Sequence, residues 1–266
     1  MASRAEQKAA ARQQREARER EMQAAHARRM RLIWLGSLVA AAALAIVIVV
    51  VAVGGGSKKP SAKATKAQVT ALLNGIPQHN NVLGSPSAKI TLTEYGDLVC
   101  PVCRDFAVGA EEQIIRNEVR SGKVKIVYRA DETASATANG GEFVAGQVAA
   151  RAAGLQGLEW NFIMTWYLEQ GDETTPYVTT AFINHIASQI PGLNMSQWSS
   201  NLNLQALKSQ VNADGAEMNT LVATRQNGVT QNATPTLIIQ GPKGTAPALQ
   251  GLAPYSAFKS VFKSVS

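Results

Sequence analysis

Cys100-Pro101-Val102-Cys103 holds the only two cysteines in a chain of 266 residues, and they stand three positions apart. The stretch before them, Lys89 to Leu98 (KITLTEYGDL), alternates apolar and polar residues as a half-buried strand does. The stretch after them, Arg104 to Arg120, places Phe106, Val108, Ile114, Ile115 and Val119 at roughly helical spacing. The cysteines therefore fall where a strand ends and a helix begins. A helix N-terminus carries partial positive charge and unpaired N–H groups, both of which stabilise a thiolate. Pro101 suits the first turn, where its missing N–H has no partner to lose. A cysteine pair so placed reads as a reactive dithiol.

Other roles for the pair are weaker. A structural disulfide closing so short a loop constrains the unfolded chain little. A structural zinc wants four ligands, and there is no second cysteine pair, while His26, His79 and His185 are scattered. No metal and no cofactor are expected. An inert remnant of an ancestral dithiol stays open.

The net charge of +7 is unevenly spread. Residues 1–31 form a basic segment rich in Ala, Arg, Gln and Glu, from Arg4 through Arg28, Arg29 and Arg31. Glu6, Glu16, Glu19 and Glu21 dilute it and no aromatic residue interleaves, so nucleic acid is not the expected partner. Residues 32–53 (LIWLGSLVAAAALAIVIVVVAV) carry no charge and reach roughly 33 Å as a helix, enough for one membrane span. The basic residues before it outnumber Lys58, Lys59, Lys63 and Lys66 after it. The positive-inside rule then places the N-terminus in the cytoplasm and the cysteines outside. A cleaved signal peptide is the rival, but the run is long and no clear small-residue cleavage site follows. Residues 54–76 read as a flexible linker, with a short helix open for 67–76.

Roughly 190 residues remain, which suits one domain over 77–266. Ser121-Gly122 breaks the helix, and Lys123 to Arg129 reads as a second strand, giving a strand–helix–strand unit with a parallel pair. From about Ala134 to Gly228 the spacing is helical, with segments near 141–155, 158–170, 176–189, 195–202 and 204–227. Trp160, Trp166 and Trp198 in this block read as core, with some of its aromatics open as a groove wall. Thr236 to Gln240 is a short strand, Ala248 to Gly251 can pair back on it, and Pro254 to Ser264 closes the chain as a helix.

That order resembles the DsbA-like branch of the thioredoxin superfamily, over roughly residues 80–264. The resemblance rests on Glu94-Tyr95-Gly96-Asp97 leading into Cys100-Pro101-Val102-Cys103, on the helical block (about 134–212 as an insertion), and on Gly228-Val229 followed by Thr234-Pro235-Thr236. It implies an α/β, thioredoxin-like fold with a helical insertion, here preceded by a single transmembrane helix. It implies Cys100 as nucleophile, Cys103 as the buried resolving thiol, and Pro101 and Val102 as the active-site dipeptide. It places Glu94 behind Cys103 as a proton relay, although an ordinary strand carboxylate stays open. It makes Thr234-Pro235 a cis pair that contacts substrate. Two departures stand out. Thr230-Gln231-Asn232-Ala233 gives four residues where the family usually has two, and Arg129-Ala130-Asp131-Glu132 replaces a frequent aromatic-proline step.

The function implied is a membrane-anchored extracytoplasmic thiol–disulfide oxidoreductase that oxidises substrate thiols. The partners implied are reduced or misoxidised extracytoplasmic proteins and a membrane redox protein that recycles the dithiol. A reductase or isomerase of the same fold, or a non-catalytic binding or chaperone module, are the alternatives.

Overall fold

The computed structural model describes residues 62–138 and 142–266. The basic segment 1–31, the apolar span 32–53 and the first part of the expected linker lie outside the described residues. Among the described residues no helix is long and apolar enough to cross a membrane.

The described chain opens with α1 (Ala62–Leu73) and the short strands β1 (Gln78–His79) and β2 (Val82–Leu83). Then come β3 (Ile90–Gly96), a long helix α2 over residues 101–119, and β4 (Val124–Ala130). Six helices follow: α3 (Ala134–Ala138), α4 (Glu142–Gly154), α5 (Glu159–Glu169), α6 (Thr180–Ser188), α7 (Met195–Asn201) and α8 (Gln205–Thr224). The chain closes with β5 (Thr236–Gly241), β6 (Gly244–Thr245), β7 (Leu249–Gln250) and α9 (Tyr255–Val265).

The strands form one mixed sheet in the order β1-β2-β4-β3-β5-β6, with β7 also on β5. β3 lies at its centre, parallel to β4 and antiparallel to β5. That position explains why its buried residues do not stop at one face: Ile90, Leu92, Glu94, Tyr95 and Gly96 are all shielded. The crossover α2 buries Phe106, Ile114, Ile115 and Val119, and Phe106 meets Phe258 of α9 with ring centroids 5.6 Å apart.

The block α3–α8 is inserted between β4 and β5, and α8 runs unbroken through 212, where the insertion was expected to end. It is held to the sheet by a buried ion network. Arg151 of α4 donates to Glu159 of α5 at 2.7 Å and to Asp214 of α8. Asp214 also accepts from Arg129 at 2.8 Å and from the Ala130 N–H at 3.0 Å. Three helices are thereby tied to the C-terminal end of β4, next to the cysteines.

One boundary differs from expectation. Residues 62–73 are not linker: α1 buries Thr65, Val69, Leu72 and Leu73 against the sheet-and-helix core and packs on α5. The spacing i, i+4, i+7, i+8 is that of one helical face. Arg120 completes the end of α1 by donating to the carbonyls of Leu72 at 2.7 Å and Asn74 at 2.9 Å. The lysines and alanines around those four residues hide the stripe when composition alone is considered. β1, β2 and β6 are two residues each, too short for periodicity to reveal.

Candidate functional site: the dithiol at the tip of α2

Cys100 is the N-cap residue of α2 in extended conformation, and Pro101 occupies the first turn. The approach is fixed by Asp97, whose carboxylate accepts from the Val99 N–H at 2.9 Å. It also accepts from the N–H of Thr133 at 3.0 Å, the N–H of Ser135 at 2.8 Å and the Ser135 hydroxyl at 2.6 Å. One carboxylate thus joins the β3–α2 turn to the loop after β4. Gln170, at the end of α5, donates to the carbonyls of Leu98 at 2.7 Å and Cys100 at 3.0 Å. The insertion therefore grips the backbone of the cysteine motif.

The Thr234–Pro235 peptide is cis. The Cys100 Sγ–H points at the Thr234 carbonyl, 3.6 Å away, although the two residues are 134 positions apart. The Thr234 hydroxyl meets the Thr133 hydroxyl in a short hydrogen bond. The departures noted in the sequence come together here. Asp131, Glu132 and Asn232 share a cavity of about 360 Å³ with Phe143 and Asn219, beside the loop that carries Thr234. A larger cavity, about 800 Å³, is elsewhere: it opens at the N-terminal ends of β3 and β4 under α9, at the far end of the strands from the cysteines.

Both cysteines are free thiols. Cys100 is only 5% exposed, because the Thr234 loop lies against its sulfur. Cys103 is fully buried. Their titrations are driven apart. The Cys103 thiol, donating to the Cys100 sulfur, holds the Cys100 thiol down at about 6 from an ordinary value of 9.0. Burial opposes this, and Thr234 and the N–H groups of Cys103 and Val102 add to it. Among the lowering causes the neighbouring thiol comes first, and the amides of the first turn come after it. Burial, first, and the Cys100 charge push the Cys103 thiol well above its usual range.

Glu94 sits beneath this pair on β3, 1% exposed, close enough for its carboxyl to act on Cys103 when ionised. Burial, then the neighbouring Glu111 and then Cys100, push its carboxyl well above the usual range. Among the sequence-derived site residues, the structure gathers Cys100, Cys103, Pro101, Val102, Glu94, Thr234 and Pro235 around one helix tip. Asp97, Gln170, Thr133 and Glu111 join them and were not singled out. Asp97 was visible only as part of the motif, and Gln170 and Thr133 carry no local signal, since their partners lie 72 and 36 positions away.

Asp97→Asn keeps the shape but turns one acceptor oxygen into a donor facing N–H groups. The expected cost is about 2 kcal/mol from buried groups left unpaired, measurable as a lower urea midpoint with unchanged slope.

This geometry — a strand, a cysteine pair capping a crossover helix, and a cis-proline loop against the sulfur — is that of the thioredoxin class. The family model described as thioredoxin matches residues 78–252, and the chain belongs to that family. No curated protein matches it. Among solved structures, BdbD from Bacillus subtilis in its oxidised form is similar at 20% identity and a TM-score of 0.55, over 72% of this chain and 98% of that one. Wolbachia pipientis alpha-DsbA1 is similar at 16% identity and a TM-score of 0.55, over 73% and 92%. Pseudomonas aeruginosa DsbA2 is similar at 20% identity and a TM-score of 0.53, over 73% and 97%. At these identities the likeness is one of fold.

Proposed function

We propose that the chain is a DsbA-like thiol–disulfide oxidoreductase that oxidises thiols of extracytoplasmic proteins while tethered to the membrane by residues 32–53. The observation that carries the exchange chemistry is the placement of the two sulfurs: Cys100 caps α2 against the carbonyl of the cis Thr234–Pro235 pair, and Cys103 lies fully buried one turn further in. In the disulfide form, a substrate thiolate attacks the Cys100 sulfur. The Cys100–Cys103 bond breaks, and Cys103 leaves with the electron pair and takes a proton, which the buried Glu94 beneath the pair supplies. A second substrate thiolate then attacks the mixed disulfide, and Cys100 leaves as a thiolate. Substrate loses two electrons and the enzyme gains them. A low value for Cys100 makes it a good leaving group and stabilises the dithiol form, which favours oxidation of the substrate.

Thr234 and Pro235 are the substrate-contacting pair, and Pro101 and Val102 set the exposed edge of the motif. A membrane redox protein is the proposed acceptor of the electrons. The support for a tether is the uncharged run 32–53 with its excess of basic residues on the N-terminal side.

Oxidative refolding tests the activity. The disulfide form, added to a reduced and unfolded disulfide protein, is expected to restore native disulfides faster than glutathione buffer alone. No acceleration, with the fold intact, leaves a non-catalytic binding module. Acceleration of disulfide reduction instead marks a reductase. Protease treatment of intact cells is expected to remove the domain while residues 1–31 stay protected. Full-length protein in a soluble fraction contradicts the tether.

A further inference from the structure

Four carboxyl oxygens are buried beneath the dithiol without a hydrogen-bond donor: both Oε atoms of Glu94 and both of Glu111. Glu94 lies on β3 and Glu111, fully buried, on α2. Glu111 belongs to the buried stripe Cys103, Ala107, Glu111, Ile115, four residues apart at each step. A core-facing position of α2, at the end of its π-helical stretch Ala107–Glu111, is thus occupied by an acid. The two carboxyls interact directly with each other.

Two carboxylates have only acceptors to offer one another, and two such charges in a dry site repel. A single O–H between them resolves both problems: it supplies the missing donor and removes one charge. Sharing of this kind is the behaviour of close carboxyl pairs generally. Burial raises both carboxyls, but the hydrogen bond between them acts to lower Glu111 and to raise Glu94, as it does when Glu94 is the donor. The proton therefore resides on Glu94.

We propose that Glu111 is a positioning residue for the dithiol: it accepts the Glu94 O–H and so keeps Glu94 neutral beneath the two sulfurs. This rests on the exchange reading above and adds a second acid to it. A neutral Glu94 places no negative charge beside Cys100 and leaves its thiolate undisturbed. It also keeps a proton next to Cys103 for the moment when that sulfur leaves.

The test is the thiolate absorbance of Cys100 against pH in the reduced full chain. Glu111→Gln removes the charge that keeps the proton on Glu94 and offers an amide donor to a Glu94 carboxylate. Glu94 then ionises in the working range, and its charge opposes the thiolate. The Cys100 midpoint is expected to rise by about one unit, roughly a tenfold loss of thiolate fraction on the acid side of the midpoint. In a Glu94→Gln background, Glu111→Gln is expected to leave the midpoint where E94Q alone sets it. A midpoint that stays put or falls in E111Q, or that moves equally in both backgrounds, overturns the proposal. A merely structural role for Glu111 predicts no dependence on residue 94.

If E111Q does not fold, the wild-type chain labelled at the glutamate carboxyl carbons decides. One carboxyl, identified by its loss in E94Q, is expected to stay protonated through neutral pH, whereas titration in the ordinary range near 4.3 overturns the proposal. Neither readout needs a substrate. A chain that shows the coupling but does not accelerate refolding therefore fails the exchange reading alone.

Discussion

Cys100→Ser is expected to bring disulfide exchange down to the uncatalysed rate, while Cys103→Ser accumulates mixed disulfides on Cys100. The asymmetry follows from position. Cys100 caps α2 against the Thr234 carbonyl and is held at about 6, so most of it is thiolate at neutral pH. Cys103 is fully enclosed and pushed toward the thiol. A substrate sulfur can be attacked from Cys100 alone. Removing Cys103 takes away the internal thiol that releases a substrate held on Cys100. It also removes the hydrogen bond that contributes most to lowering Cys100, so the trapped adducts form more slowly than wild-type turnover. Mass spectrometry of non-reduced peptides checks this. Adducts on Cys103 in the Cys100→Ser chain contradict the assignment.

The second large effect is on stability, and its sign comes from the same residue. A thiol whose folded value is depressed contributes stability that is fully present above its unfolded value. That stability is lost as pH falls through the folded one. For Cys100 the window runs from 9.0 down to about 6. The slope is at most about 1.4 kcal/mol per pH unit, so the full contribution is at most about 4 kcal/mol, reduced by solvent screening at the mouth of the site. The disulfide form has no such group, and the buried carboxyls are common to both forms and cancel to first order. Urea unfolding of the dithiol chain minus that of the disulfide chain is therefore expected to rise between about pH 6 and 8.5. Above about 9 the trend reverses, because Cys103 is held as a thiol in the fold and ionises freely once unfolded. A flat difference across the window contradicts a depressed Cys100.

The strand, cysteine pair, helix and second strand were legible because each signal is local. Lys89–Leu98 alternates, and the helix announces itself by spacing. The observed strand Ile90–Gly96 lies inside the expected stretch, and Val124–Ala130 overruns its expected end at Arg129 by one residue. The helices of the insertion were legible for the same reason, including the 20-residue α8. What was not legible depends on distant partners. The Thr133–Thr234 and Gln170–Cys100 bonds are set by tertiary packing, and neither side chain is unusual in its own neighbourhood.

Glu111 is an instructive omission. It stands four residues after Ala107 and four before Ile115, squarely on the buried face, while Val108, counted among the apolar positions, is 39% exposed. Counting apolar residues overlooks an acid at a core position. Asking which residues occupy the face, whatever their chemistry, finds it. The linker error has the same root. Thr65, Val69, Leu72 and Leu73 make a face, but Lys63, Lys66 and the alanines around them dominate the composition.

The central claim is that the fold holds Cys100 as a thiolate poised for exchange. The most direct measurement is the absorbance of that thiolate against pH in the reduced chain, paired with equilibration of the couple against glutathione. A single midpoint near 6, lost in Cys100→Ser, is the predicted result, together with a potential more oxidising than thioredoxin's roughly −270 mV. A midpoint at or above about 8.5, with a potential near −270 mV, contradicts the oxidase account and places the chain with the reductases.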